Sequence, residues 1–357
     1  MWTPVGSRKV RVGAVGLGQI FELTAPVYRD NPDAELVALC DVDAQRLARR
    51  AAQWPAATAF DDLDALLGSD VDVVEVLVPS PMHADVACRV LAAGKHLALQ
   101  KPVAHTLAEV DRIIAARDAA GVTARVMEDQ VFFPPLVALR EVVRSGEIGD
   151  PVGLHLKMVA TGLGGWDVST GSWEWLLAQA REGLGILVFD DGWHKFAIAH
   201  WLFGPVGKVM AWVGTTELAP GFGIDAPTTV MWDHVGGVRG VLDISFAPQT
   251  YLRSDYYSGD ERVEVTGTLG FARVNRISAR GIDQPALEVY RDGELRSVHT
   301  LADRLDAGFL AAGRAFVEHL RTGEGRPSLT LEQAREVLEF QLAVYESSRR
   351  DAPVTLR

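Results

Sequence analysis

The chain has 357 residues and lacks the features of several specialised classes of protein. Acidic residues outnumber basic ones by 47 to 35, so there is no excess of basic charge of the kind that binds a nucleic-acid backbone. No stretch approaches the roughly 18 consecutive apolar residues of a membrane-spanning helix. The sequence therefore argues against nucleic acids and membranes as partners.

Cysteine is scarce, and no leader segment is visible. Cys40 and Cys88 are the only 2 cysteines, and both lie in apolar patterns typical of small core residues. Residues 1–9 lack the hydrophobic core of a signal peptide. We therefore expect a reducing, cytoplasmic location. The length of the chain predicts two domains.

The first third of the chain alternates short apolar strands with helical segments. Strands are predicted at 10–15, 35–40, 58–60, 71–78 and 95–99. The segment 71–78 is apolar almost throughout, as expected of a strand whose sheet is covered on both faces. This alternation predicts a doubly wound parallel sheet of the α/β class.

A glycine pair opens the first predicted helix. Gly16 and Gly18 follow a strand, the context in which such a pair lets the backbone approach a pyrophosphate. The pattern is incomplete, because Phe21 stands where a third glycine is usual. Asp41, which ends the second strand, suits ribose hydroxyls and repels a 2′-phosphate, so NAD is favoured over NADP. Two alternatives stay open: Asp41 as a simple turn residue, and NADP accepted through Arg46.

After about residue 124 the pattern changes to a second type of domain. Several segments between 152 and 290 alternate apolar and polar residues, which predicts a large, mostly antiparallel open sheet with one covered face. Two helices are predicted near the end, at 307–321 and 331–348. The predicted domains are 1–125, which binds a dinucleotide, and 126–357, an α+β substrate-binding and oligomerisation domain.

Lys101 is placed where open α/β sheets bind ligands, at the carboxyl end of a predicted strand. Pro102 disfavours helix at Lys101 and lacks an N–H, so the chain must turn there. An amine held at that edge can exchange a proton with a hydroxyl or hydrogen-bond a carbonyl. The alternative is a solvated lysine at the end of a strand.

A second constellation lies in the segment Gly183–His194 and is predicted to open an apolar helix. Asp190 and His194 are four residues apart, so on a helix they share one face and can act as an acid/base pair. A capping aspartate, either Asp190 or Asp191, beside a hydrogen-bonded histidine is the simpler alternative. A metal site is not expected, because it needs more ligands and His200 falls on a different face.

Several short motifs in order resemble the Gfo/Idh/MocA oxidoreductase family, which includes inositol and sugar dehydrogenases. They cover nearly the whole chain and consist of Gly16–Ile20, Glu35–Asp41, Pro79–His83, Ala93–His96 with Lys101-Pro102, Gly146–Gly149, Asp190-x-Gly192-x-His194 and Val263–Gly270. The resemblance implies an N-terminal Rossmann domain and a C-terminal open sheet that often serves as an oligomer interface. A homodimer or homotetramer through that sheet is therefore expected.

The resemblance also assigns roles to individual residues. Lys101, Asp190 and His194 match the family's catalytic lysine, aspartate and histidine. The residues expected to bind the cofactor are Gly16, Gly18, Gln19, Ile20, Asp41, Pro79, Ser80, His83, Gln100 and Lys101. The residues expected to contact the substrate are Gln130, Lys157, Trp166, Trp173 and Asp191.

The chain departs from the family pattern at three places. Gln100 replaces the usual Glu beside the lysine, Ala197 replaces a frequent Asp, and Asp129 replaces an Asn. These changes leave the substrate open.

The function expected is NAD(P)-dependent hydride transfer between the nicotinamide and a secondary alcohol or ketone of a sugar, sugar derivative or cyclitol. His194, oriented by Asp190, would take the hydroxyl proton, and Lys101 would stabilise charge on the same oxygen, or the two would exchange roles. Two other functions remain possible on the same fold. One is an NAD-dependent glycosidase acting by transient oxidation, and the other is a non-catalytic, nucleotide-sensing regulator.

Overall fold

The computed structural model describes residues 2–167, 170–219, 222–325 and 329–356. The chain forms two compact units. The first contains Met1–Asp129 and Phe309–Leu338, and the second contains Gln130–Gly308 and Glu339–Arg357. The sequence places all residues after 125 in the second domain, whereas Phe309–Leu338 belong to the first compact unit. The predicted domain boundary itself stays a prediction.

The first unit is built on a parallel sheet. Its strands in the described residues are β1 (Val10–Val15), β2 (Ala34–Cys40), β3 (Thr58–Phe60), β4 (Val73–Val76), β5 (His96–Gln100) and β6 (Ala124–Met127). They lie in the order β3-β2-β1-β4-β5-β6, and every neighbouring pair is parallel. This confirms the predicted doubly wound sheet.

Helices connect these strands. They are α1 (Phe21–Thr24), α2 (Ala44–Gln53), α3 (Leu63–Leu67), α4 (His83–Ala92) and α5 (Leu107–Ala120), with 3₁₀ turns at Ala25–Tyr28 and Ser80–Met82. The helix that the glycine pair is predicted to open is therefore a short α-helix followed by a 3₁₀ turn. Pro26 lies in that turn, where its missing N–H removes an α-helical hydrogen bond.

Local caps explain where several of these helices start. The Asp43 side chain accepts hydrogen bonds from the N–H groups of Gln45 and Arg46 at the start of α2, and Asp62 caps α3. Thr106 and Glu109 form a reciprocal capping box at the start of α5. Each cap satisfies N–H groups that the helix itself leaves unpaired.

The second unit contains a mixed sheet. Its strands in the described residues are β7 (Pro151–Leu163), β8 (Val206–Val213), β9 (Thr216–Ala219), β10 (Phe222–Ile224), β11 (Thr228–His234), β12 (Arg239–Tyr251), β13 (Gly259–Gly267), β14 (Gly270–Val274), β15 (Leu287–Arg291), β16 (Glu294–Val298) and β17 (Val354–Thr355). The large sheet runs β16-β15-β14-β13-β7-β12-β11-β8-β17, and β9 pairs with β10 alone. All pairs in the large sheet are antiparallel except β7 with β12. The predicted mostly antiparallel sheet is confirmed.

The remaining helices complete the chain. They are α6 (Pro134–Arg144), α7 (Thr170–Arg181), α8 (Trp193–Phe203), α9 (Leu305–Thr322) and α10 (Leu331–Arg350), with a 3₁₀ turn at Gln130–Phe132 and a π-helical turn at Ile186–Asp191. Residues of α9 from Phe309, and of α10 to Leu338, belong to the first unit. Strand β8 ends at Val213 and β9 begins at Thr216, so the segment 206–219 forms two strands.

The large sheet has one covered and one open face. Along β13, Glu261, Val263 and Val265 are buried, whereas the residues between them are half-buried. The same alternation runs along β7, where Leu154, Leu156 and Met158 are buried and His155 and Lys157 are exposed. Helix α8 lies on the covered face, because Lys195 on this helix reaches Glu261.

Candidate active site

The glycine turn after β1 lies beside the chain that leaves β4. Gly16 has φ +85°, and a Cβ there would come within 2.8 Å of the Leu77 carbonyl carbon, so no side chain fits. A Cβ on Gly18 would meet nothing within 4 Å, so the backbone there borders open space. Between β1 and β4 the strand order reverses direction, which is the position at which doubly wound sheets bind ligands. Gln19 and Ile20 continue this turn into α1.

Asp41 is buried at the end of β2 and is held by several donors. Its carboxylate accepts hydrogen bonds from the Leu17 N–H at 2.8 Å and the Asp43 N–H at 2.9 Å. Arg46 donates to both of its oxygens, at 3.1 and 3.0 Å. The aspartate predicted to bind the ribose and the arginine that would accept a 2′-phosphate therefore form one ion pair.

The segment after β4 carries the next group of predicted cofactor residues. Pro79 precedes the 3₁₀ turn, and the Ser80 hydroxyl lies 2.9 Å from His105 Nε2. His83 is fully buried, with Nδ1 2.8 Å from the Pro102 carbonyl oxygen and Nε2 3.0 Å from the Val78 carbonyl oxygen. Burial lowers the pKa of His83 to about 4, although its contacts with the two carbonyl oxygens act in the opposite direction. His83 thus links the chain that leaves β4 to the chain that leaves β5.

Gln100 and Lys101 end β5 at the same edge of the sheet. The Lys101–Pro102 peptide bond is cis, and the Gln100 side-chain oxygen accepts the Lys101 N–H at 2.7 Å. Lys101 is half-buried, whereas Gln100 is buried. Gln100 Nε2 is a buried donor with no hydrogen-bond partner among the described residues. One further acceptor at this edge would satisfy it.

The predicted helix that carries Asp190 and His194 is two separate elements. Asp190 lies in the π-helical turn Ile186–Asp191, Gly192 follows, and α8 begins at Trp193. The predicted single α-helix is therefore replaced by a π-helical turn followed by α8, and the shared face of Asp190 and His194 stays a prediction. Neither Asp190 nor Asp191 caps α8, since its N-cap is Gly192. A π-turn has a wider hydrogen-bonding period than an α-helix, so the four-residue spacing no longer fixes their relation.

Only a few polar side chains in this segment are partly exposed to solvent. Asp190, Asp191 and His194 are half-buried, and His194 is the one residue from Gly192 to His200 that is not buried. The helix is otherwise apolar and covered, apart from Lys195 and His200. Two aspartates at the end of the π-helical turn and one histidine at the start of α8 are therefore partly exposed in an otherwise buried segment.

A buried ion pair lies next to His194 in the chain and was missed from the sequence. Lys195 Nζ is 2.7 Å from Glu261 Oε1, and both side chains are almost fully buried. Burial raises the pKa of Glu261, with Asp191 acting in the same direction, while Lys195 and His194 lower it. Nothing local in the sequence indicates this pair, because Glu261 lies on a strand far from Lys195 along the chain.

The predicted substrate residues are spread over the second unit. Trp166 packs edge-on against Tyr256 and Tyr257, with ring centroids 5.1 and 5.7 Å apart. Trp173 contacts Phe222 at 6.4 Å and is partly exposed.

Two of these substrate predictions concern residues outside the aromatic set. Lys157 is exposed on the open face of the large sheet, opposite the face on which α8 packs. Gln130 is buried in the 3₁₀ turn before α6. The structure therefore places Lys157 on the face of the sheet opposite Glu261 and α8, and its substrate contact stays a prediction.

Two absences hold for the part of the chain that is described. No group of three or more His, Cys, Asp or Glu side chains is arranged to hold a metal ion among those residues. No described helix has both the length and the apolar character needed to cross a membrane.

Two family models match the chain in order. Residues 10–128 match the oxidoreductase family with an NAD-binding Rossmann fold, and residues 136–273 match the GFO/IDH/MocA C-terminal domain. The two matches together cover most of the sequence.

Curated relatives align along nearly the full length. D-apiose dehydrogenase of Paraburkholderia graminis is 26% identical, over 98% of this chain and 90% of the relative. Myo-inositol 2-dehydrogenase of Thermotoga maritima is 24% identical, over 97% of this chain and 98% of the relative.

Solved structures share the fold. An oxidoreductase from Agrobacterium radiobacter, in complex with NAD+, L-tartaric acid and magnesium, superimposes with a TM-score of 0.83 at 21% identity, over 97% of this chain and 98% of the other. The WlbA dehydrogenase from Bordetella pertussis, in complex with NADH and UDP-GlcNAcA, gives a TM-score of 0.79 at 20% identity, over 99% of both chains.

Proposed function

Because the chain belongs to the Gfo/Idh/MocA oxidoreductase family, we propose that it interconverts a secondary alcohol and a ketone of a sugar, sugar derivative or cyclitol with NAD as cofactor. The named relatives are dehydrogenases, which supports an enzyme acting on CH–OH groups. The observation that carries the proposal is the edge of the parallel sheet. There Gly16, Asp41 and Lys101 follow three strands of one sheet, at the end where such sheets bind ligands.

The residues at this edge fit a dinucleotide. The backbone at Gly18 is open to a close approach, as a pyrophosphate requires, and the carboxylate of Asp41 suits ribose hydroxyls. Gln100 Nε2 supplies a buried donor that lacks a partner among the described residues. We assign cofactor contacts to Gly16, Gly18, Gln19, Ile20, Asp41, Pro79, Ser80, Gln100 and Lys101. His83 has both ring nitrogens on backbone carbonyls, so we assign it to shaping this edge.

NAD is the preferred cofactor in this proposal. The side chain of Asp41 carries a negative charge beside the glycine turn, and a 2′-phosphate would be repelled by it. Arg46 is engaged by that same carboxylate and by Asp43, at 3.0 and 3.3 Å. An arginine already neutralised in this way attracts a second anion less strongly than a free one.

The chain's own residues manage the proton and the substrate oxygen. When bound, the nicotinamide takes up or returns a hydride, which is the step that protein side chains cannot supply. His194 accepts the proton of the substrate hydroxyl at a ring nitrogen, and Asp190 orients the imidazole and offsets its charge. The Lys101 ammonium donates a hydrogen bond to the substrate oxygen and stabilises negative charge on it.

The substrate is proposed to be a small polyol ring or sugar. Aromatic side chains such as Trp166 and Trp173 offer flat apolar faces for C–H groups, and Gln130 and Asp191 offer polar contacts. The relatives named for apiose and inositol belong to the same substrate class. They do not favour the glycosidase or the non-catalytic regulator.

The open face of the large sheet is proposed as the surface of a homo-oligomer. Partly exposed large side chains from four strands, Trp212, Met231, Tyr290 and Leu295, lie on this face. Tyr290 and Leu295 lie on neighbouring strands near one edge of the sheet, and Trp212 and Met231 lie on neighbouring strands near the other. Exposed apolar side chains grouped in this way mark interaction sites. We also propose a cytoplasmic location for the protein, on the basis of its cysteine content.

A panel of sugars, sugar acids and cyclitols incubated with NAD or NADP tests the function, with the absorbance of the reduced cofactor as readout. We expect turnover of at least one secondary alcohol with NAD and weaker turnover with NADP. Chromogenic glycosides with NAD form a second arm. Release of the chromophore without net cofactor reduction would contradict the dehydrogenase assignment.

A further inference from the structure

The turn that carries Asp190 is fixed by three polar side chains that lie far from it along the chain: the buried Asp225 and Gln341, and the half-buried Tyr345. It is a π-helical turn of six residues, Ile186–Asp191, directly before the helix that carries His194. Such turns are rare, and they recur at functional sites. Their end groups need partners outside the turn, since the first N–H groups of any helix lack partners within it.

Asp225 binds the start of the turn. Its Oδ1 accepts the Leu187 N–H and its Oδ2 accepts the Val188 N–H, both at 2.8 Å. Burial raises the pKa of Asp225, while these two N–H groups and the Tyr345 hydroxyl lower it. Each oxygen of the Asp225 carboxylate therefore accepts a hydrogen bond from the backbone of this turn.

Tyr345 on α10 connects Asp225 to the residue before the turn. Its hydroxyl accepts the Gly185 N–H at 2.9 Å and donates to Asp225 Oδ2 at 3.3 Å. A Cβ on Gly185 would lie 2.0 Å from Asp225 Oδ2, so only glycine leaves room for the carboxylate. Gly185, Asp225 and Tyr345 thus form one interlocked group.

Gln341 holds the carbonyl side of the same turn. Its Nε2 donates to the Val188 carbonyl oxygen at 3.0 Å and to the Phe189 carbonyl oxygen at 2.9 Å, and the side chain is fully buried. Gln341 and Tyr345 are four residues apart on α10, so they project from one face of that helix. One face of α10 therefore contacts both ends of the segment 185–189.

We propose that Asp225, Gln341 and Tyr345 are positioning residues that set the geometry of Asp190 and His194 by fixing the turn between Gly185 and α8. This inference rests on the proposed function, because it assigns Asp190 and His194 to proton transfer. The three residues act through the backbone, and none of them is assigned a contact with the substrate. Hydrogen bonds to both the N–H and the C=O groups of one short turn leave its backbone little freedom.

The test compares the kinetics of Asp225→Ala, Gln341→Met and Tyr345→Phe with those of a matched control, Ser347→Ala. Ser347 is also fully buried on α10, where it accepts the Ala211 N–H at 3.0 Å and donates to the Ala352 carbonyl oxygen at 2.8 Å. Its loss removes buried hydrogen bonds from the same unit without touching the turn.

We expect kcat to fall roughly 10- to 100-fold in Asp225→Ala and Gln341→Met, because small misplacements of reacting groups cost about that much. The dissociation constant for NAD should stay unchanged, and amide hydrogen exchange over 186–194 should rise. Ser347→Ala should lower Tm while keeping kcat and that exchange pattern. Tyr345→Phe removes a single hydroxyl and serves if the other variants fail to fold.

Two different failures can be told apart. If the wild-type protein oxidises a substrate and these variants lower Tm as Ser347→Ala does, with kcat and the pH profile unchanged, the positioning role is overturned and the proposed function stands. If the wild-type protein turns over no alcohol in the panel, the proposed function fails, and the inference fails with it.

Discussion

Asp41 is held by more contacts than a residue at the end of a strand requires. Two backbone N–H groups and Arg46 share its carboxylate, and the side chain is almost completely buried. Its orientation is therefore fixed before any ligand arrives, which lowers the entropic cost of binding. The neighbouring arginine makes cofactor choice a property of the pair, since each charge offsets the other.

Asp41→Asn should shift cofactor preference towards NADP. The amide keeps one acceptor oxygen but loses the negative charge, and Arg46 is then free to meet a 2′-phosphate. We expect the ratio of kcat/KM for NADP to that for NAD to rise roughly 10- to 100-fold. In the double variant Asp41→Asn with Arg46→Ala that gain should vanish. A wild-type preference for NADP would contradict the role given to Asp41.

His83 should make the stability of the protein depend on pH between about 6.5 and 4. Its folded pKa is lowered to about 4 by burial, below the ordinary value of 6.5. The unfolded chain therefore binds the proton first, and the stability present above pH 6.5 is lost as the pH falls towards 4. At pH 5 the loss due to His83 should be about 2 kcal/mol.

Urea denaturation of the wild type and of His83→Gln at pH 7 and pH 5 measures this effect. Gln keeps a side-chain N–H for one of the two carbonyls but does not titrate in this range. His96, whose pKa burial also lowers to about 4, remains in both proteins and supplies the background slope. An equal loss of stability in both proteins on going to pH 5 would show that His83 does not titrate in this way.

At the scale of elements, structure that depends on local interactions can be predicted from the sequence, and structure that depends on distant interactions cannot. Asp43, Asp62 and Thr106 cap helices within three residues of themselves, so those helix starts are predictable. The π-helical turn is different. Its partners Asp225, Gln341 and Tyr345 bind residues 38, 153 and 160 positions away, and no local pattern encodes them.

The same division explains the outcome at the candidate site. The glycine turn, Asp41 and Lys101 each follow a strand, so strand periodicity alone places them at one edge of the sheet. Asp190 and His194 depend on the shape of a turn set by tertiary contacts, and the predicted single helix was wrong there. The face of the sheet on which Lys157 lies could not be predicted either, because which face of a strand is covered depends on where α8 packs.

The buried Lys195–Glu261 pair attaches α8 to β13. Removing one partner should destabilise the protein more than removing both. Lys195→Met leaves an unpaired buried carboxylate, which should cost about 3 kcal/mol at pH 7. The loss should shrink at pH 5, because the pKa of Glu261 is already raised by burial and protonation removes its charge. The Lys195→Met variant thus loses stability as the pH rises, whereas titration of His83 removes stability as the pH falls.

Adding Glu261→Gln to Lys195→Met should recover most of that stability, since no buried charge remains. Denaturation of the single and double variants at both pH values measures the coupling. The ion pair Arg89–Asp64 is exposed and provides a control, with little change expected on its removal. A double variant no more stable than Lys195→Met would contradict the buried-charge account.

At the scale of the whole molecule, the open sheet face predicts association of identical chains. Trp212→Lys and Met231→Lys place charge on two neighbouring strands of that face and should convert an oligomer to a monomer at micromolar concentration. Val235→Lys is the matched control, because Val235 is exposed in the turn between β11 and β12. Light scattering after gel filtration distinguishes the species, and a wild-type monomer would refute the interface.

The proton-handling residues are the central claim, and kinetics of Lys101→Met and His194→Asn test it most directly. On the alcohol that the substrate panel identifies, we predict that kcat falls roughly 10²- to 10⁴-fold in each variant, the range expected for loss of an acid/base group. Calorimetry should show that NAD binds His194→Asn as tightly as the wild type. Turnover within a factor of about two of wild type in both variants would contradict the account, whatever the cofactor affinity.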